Sequence, residues 1–115
     1  MKPISTANAE HYLWGDGCDG WYLVRTPELN IIEEKMPPGT SETRHFHVRA
    51  RQFFYVLEGE LTMEVEGEVF GLRVGGGVEV APGKAHQALN RSGESTRFLV
   101  TSQPPSHGDR VEQAS

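Results

Sequence analysis

His45, His47 and His86 are the residues of this chain whose type and spacing carry chemistry. Two histidines one residue apart point to the same side of a β-strand, because side chains alternate with a period of two. A third histidine on a distant strand meets them only where the sheet closes on itself. Three imidazoles converging inside a small barrel make a site for a transition metal. The stretch from Gly39 to His86 holds three of the five histidines in the chain.

The elements that must position them read as β almost throughout. Thirteen glycines and seven prolines punctuate short runs of aromatic and β-branched residues. Strands are expected at Trp21–Val24, Leu29–Met36, Arg44–Val48 and Gln52–Leu57. Leu61, Met63 and Val65 alternate with Thr62, Glu64 and Glu66, which predicts a strand with one wet face. Glu66-Gly67 then reads as a tight hairpin turn. Further strands are expected at Val69–Val74, Val78–Val80, Gln87–Leu89 and Arg97–Thr101. About nine or ten short strands at regular spacing predict a sandwich or closed barrel. Thr6–Leu13 is read as one turn of helix, and Pro104–Ser115 as a polar tail that is partly disordered or wraps the surface.

At 115 residues the chain has room for one core, and the organisation expected is an N-terminal segment with a lid at 1–19, a barrel at 20–103 and a tail at 104–115. No apolar run approaches a membrane span. Residues 1–10 lack the apolar centre of a signal peptide, so the cytoplasm is the expected compartment. The single Cys18 has no partner for an internal disulfide, in keeping with a reducing location. A net charge of −5 argues against a nucleic-acid partner. Arg44, Arg49 and Arg51 cluster beside the histidines, either as ion-paired strand ends or as a positive rim for an anionic substrate. Trp14 to Trp21 flank a glycine-rich loop with Cys18, either a cover for one barrel end or a lid over its mouth.

The residues then resemble a known family pattern. Gly39, His45, His47, Gln52 and Gly59 match the spacing of the first cupin motif, and Gly75, Ala81, Gly83, His86 and Asn90 that of the second. The chain resembles a single-domain cupin over about residues 20–101. The fold this implies is all-β, a double-stranded β-helix or jelly-roll barrel. The resemblance implies a metal site at His45, His47, Gln52 and His86 for one divalent transition metal: Fe, Ni, Zn, Cu or Mn. It departs in two places. Ala81 stands for the usual proline, and Gln52 for the usual glutamate, offering a neutral amide oxygen where a carboxylate is expected. Such a site keeps the full charge of the ion, binds it more weakly and makes it a stronger Lewis acid; the alternative is that Gln52 swings away to a substrate or water and leaves three histidines.

Two functions follow as expectations. One is a small metalloenzyme, dioxygenase-like first and sugar isomerase- or epimerase-like second, acting on a small molecule in the barrel. The other is a non-catalytic small-molecule or metal-binding module. A general acid or base in the cavity separates them, and the sequence offers only Glu42 and Tyr55 for that role. A homodimer is expected, with Trp21–Arg25 augmenting the sheet of a second copy. Cys18 is not expected to act as a nucleophile, and Asn90 is read as a turn or strand-end residue rather than a ligand.

Overall fold

In a computed structural model describing residues 2–114, these short apolar–polar alternations form eleven strands, with no helix among the described residues. Met1 and Ser115, the outer ends of the expected N-terminal segment and tail, lie outside them. The strands are β1 (Glu10–Trp14), β2 (Cys18–Arg25), β3 (Asn30–Met36), β4 (His45–His47), β5 (Arg51–Glu58) and β6 (Glu60–Val65). They continue as β7 (Glu68–Arg73), β8 (Gly77–Val80), β9 (His86–Leu89), β10 (Thr96–Gln103) and β11 (Arg110–Glu112). One sheet runs β1-β2-β3-β10-β5-β8 and the other β11-β4-β9-β6-β7. Every pairing is antiparallel, and the two sheets form the expected jelly-roll barrel.

The core between the sheets is built from the inward residues of each strand: Met36, Phe54, Val56, Leu61, Met63 and Phe98. The alternation in β6 buries Leu61 and Met63 as expected. Thr62 departs from the wet face and is also buried, in mid-strand between β7 and β9. Val65 pairs with Glu68, so Glu66 and Gly67 are the whole loop. Both take positive φ, at 50° and 89°, the pattern of a primed hairpin turn matching the twist of its strands. No helix of the described residues is long and apolar enough to cross a membrane.

The chain ends are more ordered than their composition implies. A turn at Ser5–Ala9, closed by the Ala9 N–H on the Ser5 carbonyl at 2.9 Å, leads straight into β1. Only the start of the expected helical turn at Thr6–Leu13 is therefore helix-like; the rest is strand. The edges of that sheet are β1 and β8, while Trp21–Arg25 lies inside it, between β1 and β3. At the other end, β11 pairs with β4, Arg110 opposite His47 and Glu112 opposite His45.

The buried carboxylate of Asp109 anchors that tail. It accepts the Arg49 N–H at 2.9 Å and the Ala50 N–H at 2.8 Å. Burial pushes its pKa up, but these bonds and Arg49 outweigh burial and hold the carboxyl below its usual range. Replacing Asp109 by alanine leaves two N–H groups without their acceptor, and stability is expected to fall by about 1–3 kcal/mol. A urea melt measures this, and an unchanged midpoint contradicts the anchoring role.

Candidate metal centre

The three histidines meet because β4 and β9 are neighbours in register. His45 lies directly opposite His86, and His47 follows His45 on the same face of β4. All three are buried, with 3%, 6% and 1% exposure for His45, His47 and His86. Their ring centroids lie 4.5 to 5.9 Å apart. One ring nitrogen from each can be chosen so that all three lie within 4.8 Å of one another, an arrangement that could hold a metal ion.

Backbone carbonyls decide the tautomers. His45 Nδ1 is 2.7 Å from the Thr43 carbonyl, and His86 Nδ1 is 3.0 Å from the Lys84 carbonyl. A carbonyl only accepts, so each Nδ1 carries the proton and each Nε2 keeps a free lone pair. His86 Nε2 is buried without a partner among the described residues. Burial is the main cause that lowers the histidine pKa values, to about 3 for His45 and about 4 for His47, with His86 lowered likewise. All three rings are therefore neutral near pH 7, the form a metal requires.

Gln52 reaches the cavity from the opposite sheet. Its NH₂ group donates to Ser102 Oγ at 3.0 Å, and its Oε1 is left buried and partnerless. The side chain is tethered rather than free to swing. Unpartnered buried acceptors are uncommon in folded proteins. Here the Gln52 amide oxygen and one imidazole nitrogen each of His47 and His86 are without partners among the described residues, and the three histidines could hold a cation. The residues present fit a divalent ion.

The site opens into a cavity of about 520 Å³ walled by both sheets and the ordered tail. Tyr12, Trp14, Tyr22 and Phe54 form its aromatic wall, and Arg25 and Arg110 its basic side chains. Phe54 faces inward, its ring 5.8 Å from that of His86. Phe53 and Tyr55 lie on the outer face, 43% and 37% exposed, which removes Tyr55 as an acid or base in the cavity.

The arginine cluster also proves structural. Arg44 is bound to Glu64 through two bonds, Arg51 to Glu79 at 2.8 Å, and Arg49 is 73% exposed beside Asp109. None of the three lines this cavity. The glycine-rich loop is a hairpin turn joining β1 to β2, with Trp14 opposite Cys18. Cys18 is fully buried in the core, and its thiol is pushed up, mainly by burial. It is neither over the mouth nor reactive, whereas Trp14 does line the cavity. Asn90 is the turn residue expected, its side chain bonded to Met36, Ser92 and Glu94.

Glu42 lies at the wall, its Oε2 taking the Ala88 N–H at 2.9 Å and its Oε1 4.0 Å from His45 Nδ1. Burial raises its pKa to about 7. Glu10 and Glu34 also line the cavity, and Glu34 was not expected there. Its signal was the alternation Asn30, Ile32, Glu34, Met36 along β3, whose other members are buried.

Residues 32–102 match the family model described as Cupin domain. Polyketide synthase CurC of Streptomyces cyaneus is 32% identical over 69 residues, 60% of this chain and 45% of that protein. The chain thus spans about half the length of that curated relative. Among solved structures, KdgF from Halomonas sp. superposes with a TM-score of 0.84 at 21% identity, covering 93% of this chain and 96% of that one. The polyketide cyclase RemF from Streptomyces resistomycificus does so with a TM-score of 0.82 at 20% identity, covering 100% and 87%. At these identities the two structures speak for the shared fold.

Proposed function

The chain belongs to the cupin family, and from that premise we propose that it is a metal-dependent enzyme acting on a small oxygen-bearing substrate held in the barrel. One observation carries the reading. His86 Nε2 and Gln52 Oε1 are buried acceptors without partners, beside two further neutral imidazoles, at a cavity of substrate size. His45, His47, His86 and Gln52 are the proposed ligands. A bound divalent ion supplies Lewis acidity there, polarising a carbonyl or hydroxyl oxygen of the substrate.

The chain's own residues supply the rest. Thr43 and Lys84 carbonyls orient two of the rings. Ser102 holds the Gln52 amide so that its oxygen faces away from the hydroxyl. The aromatic wall excludes water from one side of the cavity. Carboxylates in the same cavity shift the preference from oxygen-dependent cleavage toward proton-transfer chemistry on a carbonyl compound. A homodimer is the proposed assembly, with the β1 edge rather than Trp21–Arg25 available to a second copy.

The names of CurC and RemF support a second reading of the substrate, an aromatic or poly-ketone compound. The wall of Tyr12, Trp14, Tyr22 and Phe54 is the feature in its favour. Elemental analysis tests the common premise, on protein purified without added metal and after loading with zinc, iron, nickel, copper or manganese. About one ion per chain is expected, held at a single site. A chain that takes up no metal under any loading is a binding barrel, and the enzyme reading fails.

A further inference from the structure

Glu34 does not stand alone in the cavity. Tyr12 of β1 pairs with Gly20 of β2, and Gly20 pairs with Glu34 of β3, so the three form one row across the sheet. Gly20 has no side chain, and the Tyr12 ring lies over it. A Cβ built at Gly20 would come within 2.2 Å of the Tyr12 ring carbon that bears the hydroxyl. Through that gap the Tyr12 hydroxyl reaches Glu34 Oε2 at 3.3 Å. Both side chains line the cavity that His45 and His47 border.

A parallel row on the same sheet adds an acceptor. Asn30 pairs with Ser102, and Ser102 with Gln52. Asn30 Oδ1 is buried, lines the cavity and has no partner among the described residues. Such an oxygen calls for a donor on the ligand, and a hydroxyl is the plainest one.

We propose that Glu34 is the proton-transferring residue of this cavity, positioned by Tyr12 over Gly20, and that its substrate is a small hydroxylated ketone or aldehyde. The inference rests on the enzyme reading above and deepens it. The Glu34 carboxylate takes the proton from the carbon beside the carbonyl. The C–H electron pair becomes the new C=C bond, and the carbonyl π pair moves onto its oxygen. Return of the proton to the same carbon, as the oxygen pair re-forms the C=O bond, completes exchange. Its delivery to the former carbonyl carbon, while the neighbouring hydroxyl passes its proton to the enolate oxygen and becomes the new carbonyl, completes isomerisation, with no net oxidation or reduction.

The surroundings suit that role. Burial, then the charge of Glu42, raises the Glu34 pKa to about 8, while the Tyr12 hydrogen bond and Arg110 pull the other way. Cys18 of β2 is the other titratable neighbour, and the row partner on β10 is the apolar Phe98. A base with a pKa near the working pH transfers protons efficiently in both directions.

Two readouts test it. In the first, the zinc-loaded chain is incubated with dihydroxyacetone in D₂O and loss of the carbon-bound proton signal is followed by NMR, with metal content measured on every sample. Exchange above buffer is expected, falling about 100-fold or more in Glu34→Gln at unchanged metal content. Tyr12→Phe removes a bond that favours the charged carboxylate, so the pH of half-maximal exchange rises. Gly20→Ala displaces the ring and shifts the profile the same way. Metal-loaded wild type without exchange, or Glu34→Gln at the wild-type rate, overturns the inference and leaves the metal reading standing. A pH profile unmoved by Tyr12→Phe overturns the positioning role.

The second readout needs no metal. A raised folded pKa gives stability that is complete below the unfolded value and lost as pH rises through the folded one. The Glu34 contribution is therefore lost between about pH 4.5 and about pH 8, and across that window the urea midpoint of metal-free Glu34→Gln should fall less with rising pH than that of the wild type. An equal slope in both chains overturns the assignment even if no metal ever binds.

Discussion

His86→Ala is expected to weaken zinc binding by about 100-fold or more, the largest single-residue effect on the centre. Three facts set that size. His86 stands directly opposite His45, so it is the one histidine that joins the two halves of the donor set across strands. Its Nε2 is buried, partnerless and unprotonated, because Nδ1 is committed to the Lys84 carbonyl. Its ring also lies against Phe54, so no neighbouring side chain is free to replace it as a donor. Competition with a chromophoric zinc chelator gives the affinity. Loss of the ring also opens a small void, and circular dichroism separates misfolding from ligand loss. His47→Ala, at a less buried ring on the short strand β4, serves as the second variant. Wild-type affinity in a folded His86→Ala chain would show that the three rings do not act as one site.

The readable part of this site was the part written as period two. His45 and His47 share a face in any strand, and the second motif brought His86 to them. Glu34 was hidden because Glu33-Glu34-Lys35 looks like a solvated charge run. In the sheet, Glu33 binds Arg97 while Glu34 falls on the face of Asn30, Ile32 and Met36, an alternation that the charge run obscures. The arginines were ambiguous for the same reason. Their partners Glu64 and Glu79 lie on other strands, and local sequence carries no trace of those pairs. The tail read as polar and loose because Asp109 acts over a separation of 60 residues, on backbone N–H groups that leave no mark in the pattern.

The strands themselves were legible where an apolar alternation ran five residues, as in β6, or where aromatic and β-branched residues clustered, as in β5. Glu10–Trp14 was not, because β1 is a sheet edge with Leu13 72% exposed and only Tyr12 and Trp14 half-buried on its inner face. The Trp14–Trp21 loop invited a lid because its glycines were read as flexibility. They instead close a two-strand hairpin, and that hairpin brings Tyr12 and Trp14 to the cavity.

Gln52→Glu is the second large effect expected, and it acts in opposite directions with and without metal. The position is 6% exposed, and its amide oxygen has no partner. A carboxylate there loses its hydration with only the Ser102 hydroxyl to offset the loss. The metal-free variant should therefore be less stable than wild type by about 1–3 kcal/mol at neutral pH. With metal, the added negative oxygen faces a divalent charge, and affinity should tighten by about 10- to 100-fold. The two effects are linked through the proton. Burial holds the new carboxyl protonated, so metal must displace a proton that wild-type glutamine never carried. Zinc affinity of the variant should then rise with pH across the neutral range, while that of the wild type stays nearly flat there, its histidines being already neutral. Parallel chelator titrations at several pH values measure both slopes. A variant that is destabilised yet binds zinc no tighter places Gln52 outside the donor set and leaves three histidines to hold the ion.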